Sequence, residues 1–307
     1  MKTAALVFCS FTMIWAQGGQ PAPAPAPTPP FRQYLKVQQY SADEDARIIK
    51  LYDGLRVCDV IDGLDAVGLQ EVTMMDMHIR PLWRDEQKIT HRIHGVALTI
   101  RLVPAQATSP KFATHAEERT WEAGGWGPPS DMRTGGGRGG YPGLIRPGTV
   151  LVVDNQAHDD GFCGSNMGTR LFGMGLRGFV GNAVCRDTDE MAMTKIPVYQ
   201  DPMQSPRGIN QGRMWVESYN QPIVVGGVLV MPGDVIVADN DGVAVVPRAQ
   251  AEQVAGIARW IFEDDEIKRG KIYDEFHRPR DWTVDGHTPP PPATTTPIRQ
   301  TPSGSLR

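Results

Sequence analysis

The stretch Pro222–Pro247, PIVVGGVLVMPGDVIVADNDGVAVVP, constrains the fold most strongly. Valine and isoleucine dominate it, and their branched Cβ atoms favour a pleated surface over a helix. Met231-Pro232-Gly233 and Asn240-Asp241-Gly242 cut the run into pieces of strand length. The pattern predicts strands over Pro222–Val230, Asp234–Ala238 and Val243–Val246, the last two joined by a hairpin turn. The same reading gives strands in His94–Val103, Pro147–Asp154, Phe179–Cys185 and Ile196–Tyr199. Helices flank this β-rich centre. Ser41 and Glu44 form a capping box ahead of Ile48, Leu51, Tyr52 and Leu55, so Ser41–Leu55 is read as amphipathic helix. Val57–Ala66 and Ala249–Gly270 follow as helices. Helices at both ends of a strand-rich middle predict a single layered α/β domain.

The ends of the 307-residue chain differ from its middle. Residues 1–17 carry Lys2, the apolar run Ala4–Ala16 and small residues after it, the pattern of a secretory signal peptide. A retained N-terminal anchor is the other reading, but the run is short for a bilayer, which takes about 20 residues. No stable membrane anchor is expected; export, to a bacterial periplasm, is. Residues 18–33, with GGQPAPAPAPTPP, are read as a polyproline-type linker, and the Pro/Thr-rich residues 288–307 as a disordered tail. Residues 34–287 remain for the folded domain. Within it, 105–146 is a Gly/Pro-rich insertion bearing Trp126, Arg133 and Arg138, either a cover for a site or a surface and oligomer element. A formal net charge of −4 and a pI near 6.0 argue against a nucleic-acid partner. Cys58, Cys163 and Cys185 are too few and too scattered for a disulfide framework and are read as small apolar side chains.

Chemistry concentrates in Asp154–Glu190. A glycine-broken loop, Gly161–Gly168, precedes a short helical run, Thr169–Met174, then the strand Phe179–Cys185, and the charged cluster Arg186-Asp187-Thr188-Asp189-Glu190 follows that strand. Gly173-Met174-Gly175-Leu176-Arg177-Gly178 matches a dinucleotide fingerprint by letter. It follows a helix and precedes a strand, the reverse of what that fingerprint needs, so it is read as a helix C-cap. Asp239-Asn240-Asp241-Gly242 lacks the remaining ligands of a calcium loop. No nucleophile elbow or HExxH pair occurs, and His91 and His94 are read as surface or strand positions. An apolar strand ending in Arg-Asp beside an amide-rich loop suits a small anion together with a hard divalent cation, Mg²⁺ or Mn²⁺. The guanidinium can hold a carboxylate or an enolate oxygen.

Five segments carry a family resemblance: Ile79–Trp83 (IRPLW), Gly95–Arg101 (GVALTIR), Pro147–Asp154 (PGTVLVVD), Arg186-Asp187 and Val225–Pro247. The chain resembles the RraA-like family, which comprises the class II 4-hydroxy-4-methyl-2-oxoglutarate aldolases and the regulators of ribonuclease activity. The resemblance implies a three-layer β/β/α swivelling domain, a homotrimer or homohexamer, and a metal-dependent lyase acting on a small 2-oxo acid. It implies that the loop Gly164-Ser165-Asn166-Met167, whose first residue lies 22 before Arg186, holds the pyruvyl carboxylate through its amides. Arg186 would bind the keto or enolate oxygen and Asp187 the metal. Retro-aldol cleavage and oxaloacetate decarboxylation would then share a pyruvate enolate. Family aldolases carry an acid 21 positions before that arginine, where this chain has Ser165, and Asn182-Ala183 replaces the usual Asp-Gly. His158, Asp159 and Asp160 lie nearby as substitutes for the acid. A non-catalytic regulator, or an enzyme on a different exported metabolite, is the alternative reading.

Overall fold

The computed structural model describes residues 35–106, 111–123, 141–156, 160–182, 184–204, 208–209 and 214–284. The expected leader, linker and tail lie outside them, as do Trp126, Arg133, Arg138, His158 and Asp159. The described residues from Val37 onward belong to one compact unit. Among the described residues, no helix is long and apolar enough to cross a membrane.

Helices α1 (Ala42–Leu51) and α2 (Val57–Ala66) open the compact unit. The capping box forms as read, with the Ser41 hydroxyl accepting from the Glu44 amide at 3.2 Å. Strands β1 (Arg80–Pro81) and β2 (Ile93–Pro104) follow, then α3 (His115–Ala123) inside the insertion. Next come β3 (Thr149–Asp154), β4 (Asp160–Gly161), α4 (Ser165–Gly173), β5 (Leu176–Gly181) and α5 (Thr188–Met193). The remainder is β6 (Val198–Gln200), β7 (Gly208–Ile209), β8 (Met214–Tyr219), β9 (Ile223–Val225), β10 (Val228–Val230), β11 (Val235–Asp239), β12 (Gly242–Val246) and the long α6 (Ala251–Glu275).

The main sheet runs β1-β6-β5-β3-β2-β11-β12, with β8 also on β2. Its centre is parallel (β2, β3, β5, β6) and its flanks antiparallel. Twelve-residue β2 spans both regimes: its first half pairs with β11, its second with β8 across a bulge at Arg101/Leu102. The sheet curls until its edges nearly meet, where Met74 bridges Ala244 and the Arg80 guanidinium donates to the Asn240 carbonyl at 3.1 Å.

Strand periodicity sorts the core into layers. Val150, Val152, Val180, Ile236 and Val243 face one cluster, which the β9–β10 hairpin closes with Ile223, Val225, Val228 and Val230. Leu151, Val153 and Phe179 point the other way, onto Leu171 and Met191 of α4 and α5. Val235, Val237, Ala244 and Val246 receive α1, α2 and α6. A strand buried on both faces reads as unbroken apolar sequence, as VLVV in β3 does. The single mixed α/β domain of β/β/α layers is therefore present.

Several local expectations need correcting: the strand expected over Phe179–Cys185, for one, runs over Leu176–Gly181 and so ends four residues before Cys185. Pro222–Val230 is a hairpin, because Gly226 and Gly227 adopt φ +55° and +78° and reverse the chain. The helix expected at Thr169 begins four residues earlier, at Ser165. His91 is buried outside any strand, where its Nδ1 accepts the Asp85 amide at 3.1 Å, and burial lowers its pKa.

Candidate active site

Past Gly181 the chain leaves β5 and runs beside Phe162-Cys163. Both of those amides donate to the Val184 carbonyl, at 2.8 and 3.0 Å, and the Arg186 amide returns a bond to the Cys163 carbonyl at 2.9 Å. Cys163 and Cys185 are partners across this short parallel bridge. On the other flank the buried side chain of Gln200 does the work of a strand. Its Oε1 accepts from the Val184 and Cys185 amides at 3.0 and 2.8 Å, and its Nε2 donates to the Cys185 carbonyl at 3.2 Å. Polar backbone that leaves a sheet inside the core must find such partners. The result is a fixed platform immediately before Arg186-Asp187.

Asp187 occupies the left-handed region, φ 56° and ψ 45°. For a non-glycine residue this costs on the order of 1–2 kcal/mol, and aspartate is among the residues that tolerate it. Asp187 is the N-cap of α5, yet its carboxylate makes no bond to its own helix. Oδ2 instead accepts the Ser165 amide at 3.0 Å and the Ser165 hydroxyl at 3.3 Å. The carboxylate thus sits at the N-terminus of α4, where the helix dipole favours negative charge. Gly164 permits this approach, since a Cβ there would lie 2.6 Å from Asp187 Oδ2. Gly168 does the same for the helices: a Cβ there would lie 2.4 Å from Met191 Cε, so Met191 can seat α5 against α4.

Arg186 is half-exposed, with Nε 3.5 Å from Asp187 Oδ1. That distance gives attraction but no hydrogen bond, and Nε is buried without a hydrogen-bond partner among the described residues. Gly164 is the N-cap of α4, and Ser165, Asn166 and Met167 are its first turn rather than a free loop. The first helical bond there is made by the Gly168 amide to the Gly164 carbonyl, at 2.9 Å. The Asn166 and Met167 amides precede it and so have no carbonyl within the helix. Met167 packs its side chain on the core, while Asn166 is exposed.

Of the residues singled out in sequence, the structure sets Gly164, Ser165, Arg186 and Asp187 against one another at the start of α4, with Asn166 and Met167 in the same helical turn; His158 and Asp159 lie outside the described residues. The result is a carboxylate, an unpartnered guanidinium nitrogen and two helix-terminal amides, a set able to bind an oxyanion beside a cation. Among the described residues no cluster of three or more His, Cys, Asp or Glu could hold a metal. Burial pushes the Cys185 thiol well above its ordinary range and keeps it protonated, which makes it a poor nucleophile. A cavity of about 370 Å³ lies elsewhere, at the ends of β3, β5 and β6, walled by Asp76, Asp154, Asn182, Asp201 and Gln204; Arg186 and Asp187 are not in its wall. Gln200 escaped the sequence reading. Its only signal there is a glutamine closing an apolar strand.

Known proteins resemble this chain in sequence and in fold. Residues 57–245, more than half of the chain, match the family described as RraA-like: Aldolase/RraA. A Halalkalibacterium halodurans protein provisionally named 4-hydroxy-4-methyl-2-oxoglutarate aldolase is 33% identical over 133 residues, 42% of this chain. The match spans 60% of that relative's length. A crystal structure of an uncharacterized protein from Pseudomonas syringae pv. tomato superposes with a TM-score of 0.56 at 18% identity, covering 81% of this chain and 95% of that one. RraAS2 of Streptomyces coelicolor, described as an unusual member of the RNase ES inhibitor RraA protein family, superposes at 0.50 with 20% identity, over 77% of this chain and 98% of its own. At these identities the two structures speak to the fold alone.

Proposed function

This chain belongs to the RraA-like family, and from that premise and the geometry of its site we propose that it is a carbon–carbon lyase acting on small 2-oxo acids. The reactions it supports best are retro-aldol cleavage of 4-hydroxy-4-methyl-2-oxoglutarate and decarboxylation of oxaloacetate, both through a pyruvate enolate. The observation that carries this reading is the Asp187 carboxylate, held at the N-terminus of α4 by the Ser165 amide at 3.0 Å, with the Arg186 Nε beside it lacking a partner.

The first-turn amides of α4 bind the substrate carboxylate, since their N–H groups and the helix dipole both favour an anion. Arg186 donates to the 2-keto oxygen and holds it as negative charge develops there, an interaction that strengthens toward the transition state. Asp187 would hold Mg²⁺ or Mn²⁺. Among the described residues its Oδ1 accepts no hydrogen bond, and a lone carboxylate fits an ion that keeps most of its waters. When bound, that ion supplies Lewis-acid polarisation of the keto group. The carboxylate-binding amides belong to rigid backbone, so they need no reorganisation during reaction. We further propose a homotrimer or homohexamer, exported to the periplasm, with a small 2-oxo acid as substrate.

Pyruvate should be released from oxaloacetate or 4-hydroxy-4-methyl-2-oxoglutarate faster than in a control with Mg²⁺ alone. Asp187→Ala or a chelator should lower the rate by 10²-fold or more, as for other electrostatic transition-state contacts. Turnover that survives both would refute the role given to Asp187. Ser165, in place of the family's acid, favours a second reading: an enzyme of the same site on a different metabolite, or a non-catalytic regulator. Absence of pyruvate release from the intact protein would select it.

A further inference from the structure

We propose that Cys163 and Cys185 are a dithiol–disulfide couple, a covalent staple whose two ends each lie one residue before a half of the candidate site. The pair was invisible as a pair in sequence, being 22 residues apart with no motif between. In the structure the two residues are direct partners in a parallel β-bridge. Their register is set on both sides: Cys163 N–H to the Val184 carbonyl at 3.0 Å, and Arg186 N–H to the Cys163 carbonyl at 2.9 Å. Neighbouring strands lie about 4.7–4.9 Å apart, within the Cα separation that disulfides span, about 4.4–6.8 Å. Bridge partners also project their side chains to the same face. Both side chains are free, fully buried thiols in one apolar cluster, and the Cys163 thiol donates to the Gly164 carbonyl at 3.3 Å.

Cys163 immediately precedes Gly164, the N-cap of α4, and Cys185 immediately precedes Arg186. A bond between them would join the anion-binding turn to the Arg-Asp pair through the backbone that positions both. Cys58 is on the surface of α2, among the residues of another layer, and plays no part.

The chemistry is thiol–disulfide exchange. One thiolate attacks a sulfur of a disulfide oxidant, a small-molecule disulfide or a disulfide oxidoreductase, and expels one of its thiols. The second cysteine then displaces the mixed disulfide. One S–S bond forms in the chain, two S–H bonds are lost, and two electrons and two protons pass to the oxidant, which leaves as two thiols. Because both sulfurs are buried in the folded chain, exchange proceeds during folding or a local opening. The sequence expectation of an exported protein would place that folding in an oxidising compartment.

The test refolds the full chain in a mixture of reduced and oxidised glutathione, blocks remaining thiols under denaturing conditions, and maps tryptic peptides without reduction. Cleavage after Arg170 and Arg177 separates the peptide holding Cys163 from that holding Cys185, so they remain joined only if the bond has formed. The expected result is this linked pair with Cys58 blocked as a free thiol. Reduction should lower the melting temperature by about 5–10 °C, the scale for closing a loop of this size in a domain of this size. The drop should be absent in Cys163→Ala/Cys185→Ala. If that variant does not fold, the peptide map on the unaltered chain still decides. Recovery of both cysteines as blocked thiols, or a bond that uses Cys58, would overturn the proposal. The readout is a bond rather than turnover, so its failure says nothing about the lyase reading.

Discussion

Gly164→Ala isolates the geometry on which the candidate site depends. Gly164 has φ −106° and ψ 176°, which any residue adopts, so the substitution brings no backbone strain. Its one consequence is steric: the new methyl would lie 2.6 Å from Asp187 Oδ2 and must gain about 0.8 Å to reach ordinary van der Waals contact. Asp187 is the side that yields, because the N-cap is tied into α4 by the Gly168 amide. The bond from the Ser165 amide to Oδ2 then lengthens from 3.0 Å past useful range. For stability, losing that bond costs about 0.5–1.5 kcal/mol, and the smaller unfolded-state entropy of alanine returns about 0.4–1 kcal/mol. The two nearly cancel, so the melting temperature should move by no more than a few degrees. For chemistry, a displacement of about 1 Å at a reacting centre costs on the order of 10²-fold in rate. Pyruvate formation, followed by coupling to a pyruvate-reducing enzyme, should therefore fall by about two orders of magnitude in kcat/KM while the circular dichroism melt stays put. A variant with unchanged kcat/KM would show that the Asp187 carboxylate at the end of α4 is not where the reaction happens.

Two further substitutions probe the same ground. Ser165→Asp sets a second carboxylate against Asp187 Oδ2, where the serine hydroxyl now lies at 3.3 Å; like charges so close force one of the pair to stay protonated to higher pH. Retro-aldol cleavage should rise if the missing acid limits it, with a pH profile set by the pair, and no gain would point to a different substrate. Gln200→Leu keeps the volume but strips two buried amides and one carbonyl of their partners, a loss of about 3–5 kcal/mol. A thermal melt should fall by roughly 10 °C; a shift under 2 °C would deny Gln200 its role in holding Arg186-Asp187.

How much of this was legible in the sequence follows from the range over which each signal acts. The strands β2, β3, β11 and β12 were legible because β-branched runs are bounded by Pro, Gly or Asn-Asp-Gly. The capping box of α1 and the C-cap reading of Gly173–Gly178 rest on neighbours within four residues, and both hold, Gly175 taking φ +105° past the end of α4. PIVVGGVLV failed because nine residues with six apolar ones look like one strand, and only the backbone angles of the glycines reveal the reversal. The start of α4 was hidden by Gly164-Ser165-Asn166, good loop residues that also make a good helix entrance. Helix α5 was missed because TDEMAM has one apolar anchor, Met191, whose seat depends on Gly168 in another helix. Gln200 and the cysteine pair act across 15 to 22 residues, so no local pattern could announce them.

The residues that escaped the sequence reading explain how the Asp187 carboxylate is aimed. An aspartate left to itself at a helix N-cap turns back onto its own first amides. Asp187 does not, because its backbone is held left-handed between the Cys185 platform and the Met191 amide, which donates to its carbonyl at 3.0 Å. That twist sends the side chain across to α4, and the Ser165 amide fixes one oxygen while the other keeps no hydrogen bond. Supports on several segments are needed for this: Gln200 from β6, Cys163 from the strand-like turn before α4, and the absent side chains of Gly164 and Gly168. A site made this way depends less on the number of charged ligands than on how rigidly one of them is aimed. The prediction that follows is that mutations of the supports should damage turnover in proportion to how far they let Asp187 move, whether or not they touch substrate.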